Sequence, residues 1–281
     1  MDGIVIINKP LGLTSQQVVS KVKKILNEKK AGHTGTLDPF ATGVLPILLG
    51  KGTKLSQYLI EHDKKYIATI YLGEKKDTGD QEGITIEKRS VPILSEEEIK
   101  LVLESFKGEQ KQIPPMYSAI KINGKKLYEY ARNGEKVERP EREIKIYEIN
   151  FIEKKENLVK FEVSCSKGTY IRVLCEDIAE KLGTVGYMSA LERTLVNDFQ
   201  VENAISLEEL QENIDKIISI EEYFSQTPKI NLTEKKVELL LNGVKLTYNL
   251  EDGFYRIYNT QNEFLGIAKA QNQLLKRELI L

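Results

Sequence analysis

A chain of 281 residues that is 41% hydrophobic and 30% charged has the make-up of a globular protein with about two domains and room for a sizeable core. Its net charge of -1 argues against a uniformly basic nucleic-acid binder and leaves room for a local basic face. No apolar run approaches the roughly 18 residues of a membrane span, and the N-terminus lacks the basic region and cleavage site of a signal peptide.

Taken in order, Gly3 to Ile7 reads as a buried strand and Asn8 to Gly12 as the turn out of it. Thr14 or Ser15 then caps a helix whose apolar positions are Val18, Val19, Val22, Ile25 and Leu26; its lysines read as a solvated face. Strict alternation from Tyr66 to Leu72 predicts a strand with Tyr66, Ala68, Ile70 and Leu72 on one face. Asp77 to Gly83 is a loop whose spacing does not fit a calcium site. Ser95 and Glu98 form a capping box for a helix carrying Ile99, Val102, Leu103 and Phe106 and ended by Gly108.

Residues 112–145 differ in kind. Tandem prolines and Tyr117, Tyr128 and Tyr130 are interleaved with Lys121, Lys125, Lys126, Arg132, Lys136, Arg139, Arg142 and Lys145. Such a segment suits contact with RNA backbone and bases, or is an exposed insertion without special function. A hairpin of strands 144–152 and 158–165 follows. Next come a helix entered through Lys167 to Arg172 and stopped by Gly183, and a further helix capped by Ser206 and Glu209. The pattern breaks near Tyr223 to Pro228. Beyond it we expect a helix over 233–241, strands near 254–258, 264–270 and 278–281, and a hairpin turn at Asp252-Gly253. So small a unit should lean on the larger one. The expected domains are therefore 1–224, including the insertion, and 228–281.

Cys165 and Cys175 make no disulfide framework, and with His33 and His62 they show no metal-ligand spacing. We therefore expect reduced thiols in a cytoplasmic protein and no metal. Phosphate-loop and dinucleotide glycine patterns are missing as well, so a nucleotide cofactor has no support. The chemistry-bearing stretch is Gly32 to Gly50, GHTGTLDPFATGVLPILLG. Asp38 is its one acidic residue and the only carboxylate between Glu28 and Glu61. Pro39 pushes Asp38 away from helical backbone, and the glycines at 32, 35 and 43 allow positive φ or close approach of another chain segment. The result is one carboxylate on a stiff, uncharged loop, followed by the apolar anchor VLPILL.

Gly32 to Pro39 followed by Ala41 to Pro46 resembles the signature of the TruB family of tRNA pseudouridine synthases. Asn8-Lys9-Pro10, Lys65-Tyr66, the Gly73 to Gly83 loop, Pro114-Pro115 to Lys121, and Lys167 to Arg172 are similar to the family in the same order, covering residues 3 to about 195. From about Pro228 the chain is similar, by pattern, to a small PUA-type RNA-binding domain. The resemblance implies an α+β fold with a mixed, largely antiparallel sheet flanked by helices. It also implies conversion of uridine 55 in the T loop of tRNA to pseudouridine without cofactor or guide RNA, here by a monomer. It makes Asp38 the nucleophile, Arg172 its cationic partner, and Tyr66 an aromatic that stacks on uracil or relays its proton. His33 then fills the vacated space or braces the flipped RNA loop, Leu191 lines the pocket or is ordinary helix core, and Tyr170 and Lys9 lie near the site, Lys9 on phosphate. Lys121, Lys125 and Arg132 lead the RNA contacts of the insertion. Glu192 stands where the family often has a basic residue. The runner-up readings are a non-catalytic tRNA-binding or folding protein, and a guide-RNA-dependent synthase subunit. The second usually carries terminal extensions, and this chain starts abruptly at Gly3 and ends at Leu281.

Overall fold

The computed structural model describes residues 1–59, 62–135 and 137–281; Glu61 and Lys136, both named above, lie outside these. The first part of the chain forms β1 (Gly3–Lys9), α1 (Ser15–Ile25), β2 (Ala31–His33), β3 (Thr42–Leu49), α2 (Ser56–Leu59) and β4 (Lys64–Leu72). Then come β5 (Glu74–Lys76), β6 (Thr85–Lys88), α3 (Glu96–Glu104), β7 (Gly108–Gln112), β8 (Lys121–Ile122), β9 (Lys125–Lys126) and α4 (Leu127–Arg132). They are followed by β10 (Arg142–Lys155), β11 (Leu158–Cys165), α5 (Ile171–Lys181), β12 (Gly186–Val196), β13 (Phe199–Gln200), β14 (Ile218–Ser219) and α6 (Ile220–Tyr223). The C-terminal part holds β15 (Lys229–Asn231), α7 (Glu234–Leu241), β16 (Leu246–Thr247), β17 (Gly253–Tyr258), β18 (Phe264–Gln271) and β19 (Leu274–Ile280).

A ten-stranded sheet runs β14-β1-β3-β12-β4-β11-β10-β7, with β2 beside β3 and β13 beside β12. Its pairings are antiparallel except β3 with β12, which join in parallel through Thr42 with Glu192 and Gly43 with Arg193. The fold is thus α+β and largely antiparallel, as the resemblance implied. Val18, Val19 and Val22 of α1 pack on Val5, Ile7, Leu45 and Ile47, while α3 and α5 cover β4, β10 and β11 with Ile99, Leu103, Leu174 and Ile178. Alternation in β4 is borne out, with residues 66, 68, 70 and 72 buried. VLPILL is itself the central strand β3. Pro46 is tolerated there because its carbonyl, and hence its missing N–H, faces the side on which β2 has just ended; Thr34 N donates to that carbonyl at 3.4 Å.

Several expectations need correction. Asn8 and Lys9 continue β1, and the turn is confined to Leu11-Gly12. Helix α3 stops at Glu104, and Gly108 instead opens β7 with φ +103°. Arg142 pairs with Gln112, so residues 142–145 belong to the main sheet and the insertion is only 113–141. The capping bonds at Ser206 form, but no helix follows. Both the backbone N and the side-chain amide of Asn213 take the carbonyl of Glu209, closing a single turn. Leu191 lies on strand β12, because pairing on both sides overrides the helix-favouring ALER sequence. The C-terminal hairpin turn is Asn272-Gln273, both at positive φ, while Gly253 begins β17.

The five-stranded C-terminal sheet has the order β15-β17-β18-β19-β16. Ile267 and Leu279 from it share a core with Ile4, Ile6, Val44, Leu48, Leu55, Leu59 and Phe224, so it leans on the larger sheet as its size required. No helix among the described residues is long and apolar enough to cross a membrane.

Candidate active site

The loop between β2 and β3 crosses the parallel junction at the middle of the large sheet. Leu37 and Phe40 are buried on either side of Asp38, and fully burying such side chains contributes about 1.5–3 kcal/mol each. Ala41 N donates to the carbonyl of Asp38 at 3.0 Å, closing a turn with Pro39 at the position where its fixed φ is favoured. Ser15 holds the loop from α1: its Oγ accepts from Leu37 N at 2.8 Å and donates to Leu37 O at 3.0 Å. Thr14 is the actual helix cap, so Ser15 is free for this work. Lys9 is 0% exposed, and its ammonium donates to the carbonyls of Pro10 at 2.9 Å and Pro39 at 3.1 Å. It lies under the loop as a clamp, with its donors turned inward rather than toward an RNA phosphate. Burial lowers its pKa to about 8, against the pull of Asp38. Of the glycines at 32, 35 and 43 only Gly43 has positive φ, and a Cβ there would stand 2.2 Å from the Arg193 carbonyl.

The Asp38 side chain is 34% exposed, the rest of it walled by the loop. Arg172, the second residue of α5, reaches it with Nη2 to Oδ2 at 3.3 Å. The same guanidinium donates to the carbonyls of Tyr117 at 2.8 Å and Thr78 at 3.2 Å, and bridges Asp80 Oδ2 at 3.3 Å. Asp80 is buried and held further by Thr78 Oγ1 at 2.7 Å and Glu82 N at 3.1 Å. Desolvation raises the pKa of Asp38, Asp80 reinforces that shift, and Arg172 and Lys9 oppose it. Tyr66 enters from β4, buried together with Leu37, Phe40 and Leu191. Burial pushes its phenol up to about 12, so the O–H is retained at neutral pH.

Asp38 and Arg172 are therefore paired beside the apolar cluster that holds Leu37, Phe40, Tyr66 and Leu191, with Lys9 beneath the loop. His33 ends β2 beside the loop; its buried Nδ1 has no hydrogen-bond partner, and desolvation, then Arg193, lower its pKa. Tyr170 is the residue before α5, where Gln112 clasps its backbone at both N (2.8 Å) and O (3.0 Å). Lys121, Lys125 and Arg132 do not reach the pocket. They sit on the insertion, with Lys125 over the Tyr130 ring at 4.3 Å and paired to Glu135 at 3.3 Å, and Arg132 over the Tyr128 ring at 5.4 Å. Sequence reasoning missed Asp80, Ser15 and Arg193. The first stood within the quoted Gly73 to Gly83 loop, but its separation of 92 residues from Arg172 left the pairing without a local signal.

The family model described as TruB family pseudouridylate synthase (N terminal domain) matches residues 23–171. The tRNA pseudouridylate synthase B C-terminal domain matches 172–225, and the pseudouridine synthase II TruB C-terminal model matches 228–276. A tRNA pseudouridine synthase B from Clostridium novyi (strain NT) is 47% identical, with all of both chains covered. Another from Hydrogenovibrio crunogenus is 45% identical over 98% of this chain and 92% of its own length. Among solved structures, a chain of a Cbf5-Nop10-Gar1 complex superposes with a TM-score of 0.72 at 28% identity, covering 99% of this chain and 84% of that one. On these grounds the chain belongs to the TruB family of tRNA pseudouridine synthases, isomerases that turn uridine into pseudouridine.

Proposed function

We propose that the chain isomerises uridine 55 in the T loop of tRNA, with Asp38 as nucleophile, no guide RNA and a single copy of the chain. The observation that carries the reading is a partly exposed carboxylate held by Arg172 at the edge of the apolar cluster that contains Tyr66 and Leu191. The T loop must release its uridine from the stack, at a cost of a few kcal/mol. His33, beside the Asp38 loop, braces the displaced RNA loop in this reading, and Lys121, Lys125 and Arg132 carry the insertion's charge to the stem. Residues 228–281 add a PUA-like RNA-binding unit beyond the catalytic residues 1–224.

Asp38 attacks C1′ as the C1′–N1 bond breaks, and the bonding electrons leave with uracil as an anion. The base turns against Tyr66 and Leu191, and C5 then displaces the carboxylate from C1′. Loss of the proton from C5 and gain of one at N1 complete an isomerisation with no net change in atoms. A phenol held protonated suits stacking and hydrogen bonding better than proton abstraction. Against the guide-dependent alternative stands the greater similarity to tRNA pseudouridine synthase B, 47% against 28%. Incubation of the protein alone with an unmodified tRNA transcript tests this: pseudouridine in the T loop is expected, and product only with added guide RNA would overturn it.

A further inference from the structure

Arg193 is 1% exposed and is one of the largest fully buried side chains of the molecule. It stands opposite Tyr66 across the β12–β4 ladder and opposite Gly43 across β3. Its Nε donates to the carbonyl of Val44 at 2.8 Å and its Nη2 to that of Gly35 at 3.2 Å, and the ladder register sets its side chain next to that of Tyr66 on the same face of the sheet. Among the described residues no carboxylate forms an ion pair with it. The titratable neighbours that feel its charge are Lys9, His33, Lys64 and Tyr66, three of them bases.

Burying a guanidinium without a carboxylate costs several kcal/mol, and two backbone carbonyls could be met by a neutral donor. The charge therefore calls for a use beyond bracing the loop. The reaction supplies one. When the C1′–N1 bond breaks, the electron pair goes to uracil, whose negative charge spreads over its ring nitrogens and carbonyl oxygens. The group placed to meet this charge is the Tyr66 phenol, buried beside the Arg193 guanidinium across the β12–β4 ladder.

We propose that Arg193 is a positioning residue that acts through Tyr66: it fixes and polarises the phenol so that its O–H donates to uracil as the base leaves C1′ carrying the bonding electrons. The proton stays on the phenol oxygen throughout, so the step remains the heterolysis described above with one added hydrogen bond. Donors fixed in a low-dielectric pocket before charge develops stabilise it far more than mobile water does. The proposal rests on the reading of Asp38 and Tyr66 given above, and its test is separable from the test of Asp38.

The experiment is a double-substitution cycle in the full-length protein, read as single-turnover pseudouridine formation on a tRNA transcript, with the tRNA dissociation constant measured alongside. Arg193→Gln is expected to slow the step by about 10- to 100-fold with tRNA affinity nearly unchanged, and Arg193→Lys to recover part of it. In a Tyr66→Phe background, Arg193→Gln is expected to cost nothing further, because the group it acts through is gone. The same loss in both backgrounds would mean that Arg193 only braces the loop, and would overturn the proposal. Should Arg193→Gln fail to fold, replacing Tyr66 by 3-fluoro- and 3,5-difluorotyrosine decides instead. At a pH where each phenol stays protonated, the rate should rise with ring acidity, and a flat response would overturn the proposal. A wrong Asp38 assignment would show itself elsewhere, as activity in Asp38→Asn.

Discussion

Asp38 is not made reactive by a low pKa, because its surroundings raise that pKa, with burial the largest cause. Arg172 keeps the ionised form accessible, so the nucleophilic role proposed for Asp38 is open to it only above its raised folded value. The sign gives a pH prediction. Activity should fall as pH drops through that value, and Arg172→Met, which removes the opposing cation, should move the acid limb of the rate profile to higher pH. An unmoved limb would show that another group sets it. Asp38→Asn keeps the shape and loses the nucleophile, so it should abolish turnover while tRNA binding stays within about 1–2 kcal/mol. A filter-binding titration beside a product assay checks both halves. Arg172→Met also strands Asp80, a buried carboxylate, and should cost about 3–5 kcal/mol in chemical denaturation.

The loop and its flanking strands behave as one device. Gly43→Ala would drive a Cβ against the Arg193 backbone at a residue with φ +102°, and should destabilise by more than about 2 kcal/mol. Gly32→Ala, with open space at that position, should stay within about 0.5 kcal/mol. Thermal melts of the two variants separate a required glycine from a tolerated one, although both stand in the same motif. The sequence told less about elements than about residues. Strong local signals survived: the alternation of β4, the capping box of α3, the apolar face of α1. Strand β12 was illegible, because Ala190, Leu191, Glu192 and Arg193 favour helix and only long-range pairing makes them strand. That one omission hid Arg193, and with it the group that ties down the Asp38 loop at the carbonyls of Gly35 and Val44. The grouping of Asp38 with Arg172 and Tyr66 was legible as a placement: the structure sets the first two 3.3 Å apart, with Tyr66 in the core that also holds Leu37 and Phe40. Lys9 was legible as important, while its inward direction was not.

At the scale of the molecule, the two sheets share a core, and polar ties cross between them. Tyr258 OH donates to Glu221 at 2.6 Å, Tyr58 OH to Glu278 at 3.0 Å, and Lys54 Nζ to the Ile280 carbonyl at 2.6 Å. Ile267→Ala in the C-terminal sheet should therefore lower the stability of the whole chain by about 2–5 kcal/mol, with a single unfolding transition. Two separate transitions would count against a common core. Binding of a T-arm stem-loop should weaken with salt at a slope set by the phosphates neutralised, and replacing Lys121, Lys125 and Arg132 should flatten it. An unchanged slope would move the electrostatic contact away from the insertion.

The parallel meeting of β3 and β12 has a further consequence for how the chain comes into being. Asp38 leaves the ribosome early, yet the loop that carries it is tied down by carbonyl bonds to Arg193, and the core it rests on includes Leu191, more than a hundred and fifty residues later. Contacts that distant close late, since the entropy of a long loop must be overcome before they stabilise anything. A growing chain therefore carries Asp38 for most of synthesis without the strand that ties its loop down. A chain ended before β12 lacks both the Arg193 bonds to that loop and the Leu191 side chain of the core it rests on, so it should show no activity toward RNA.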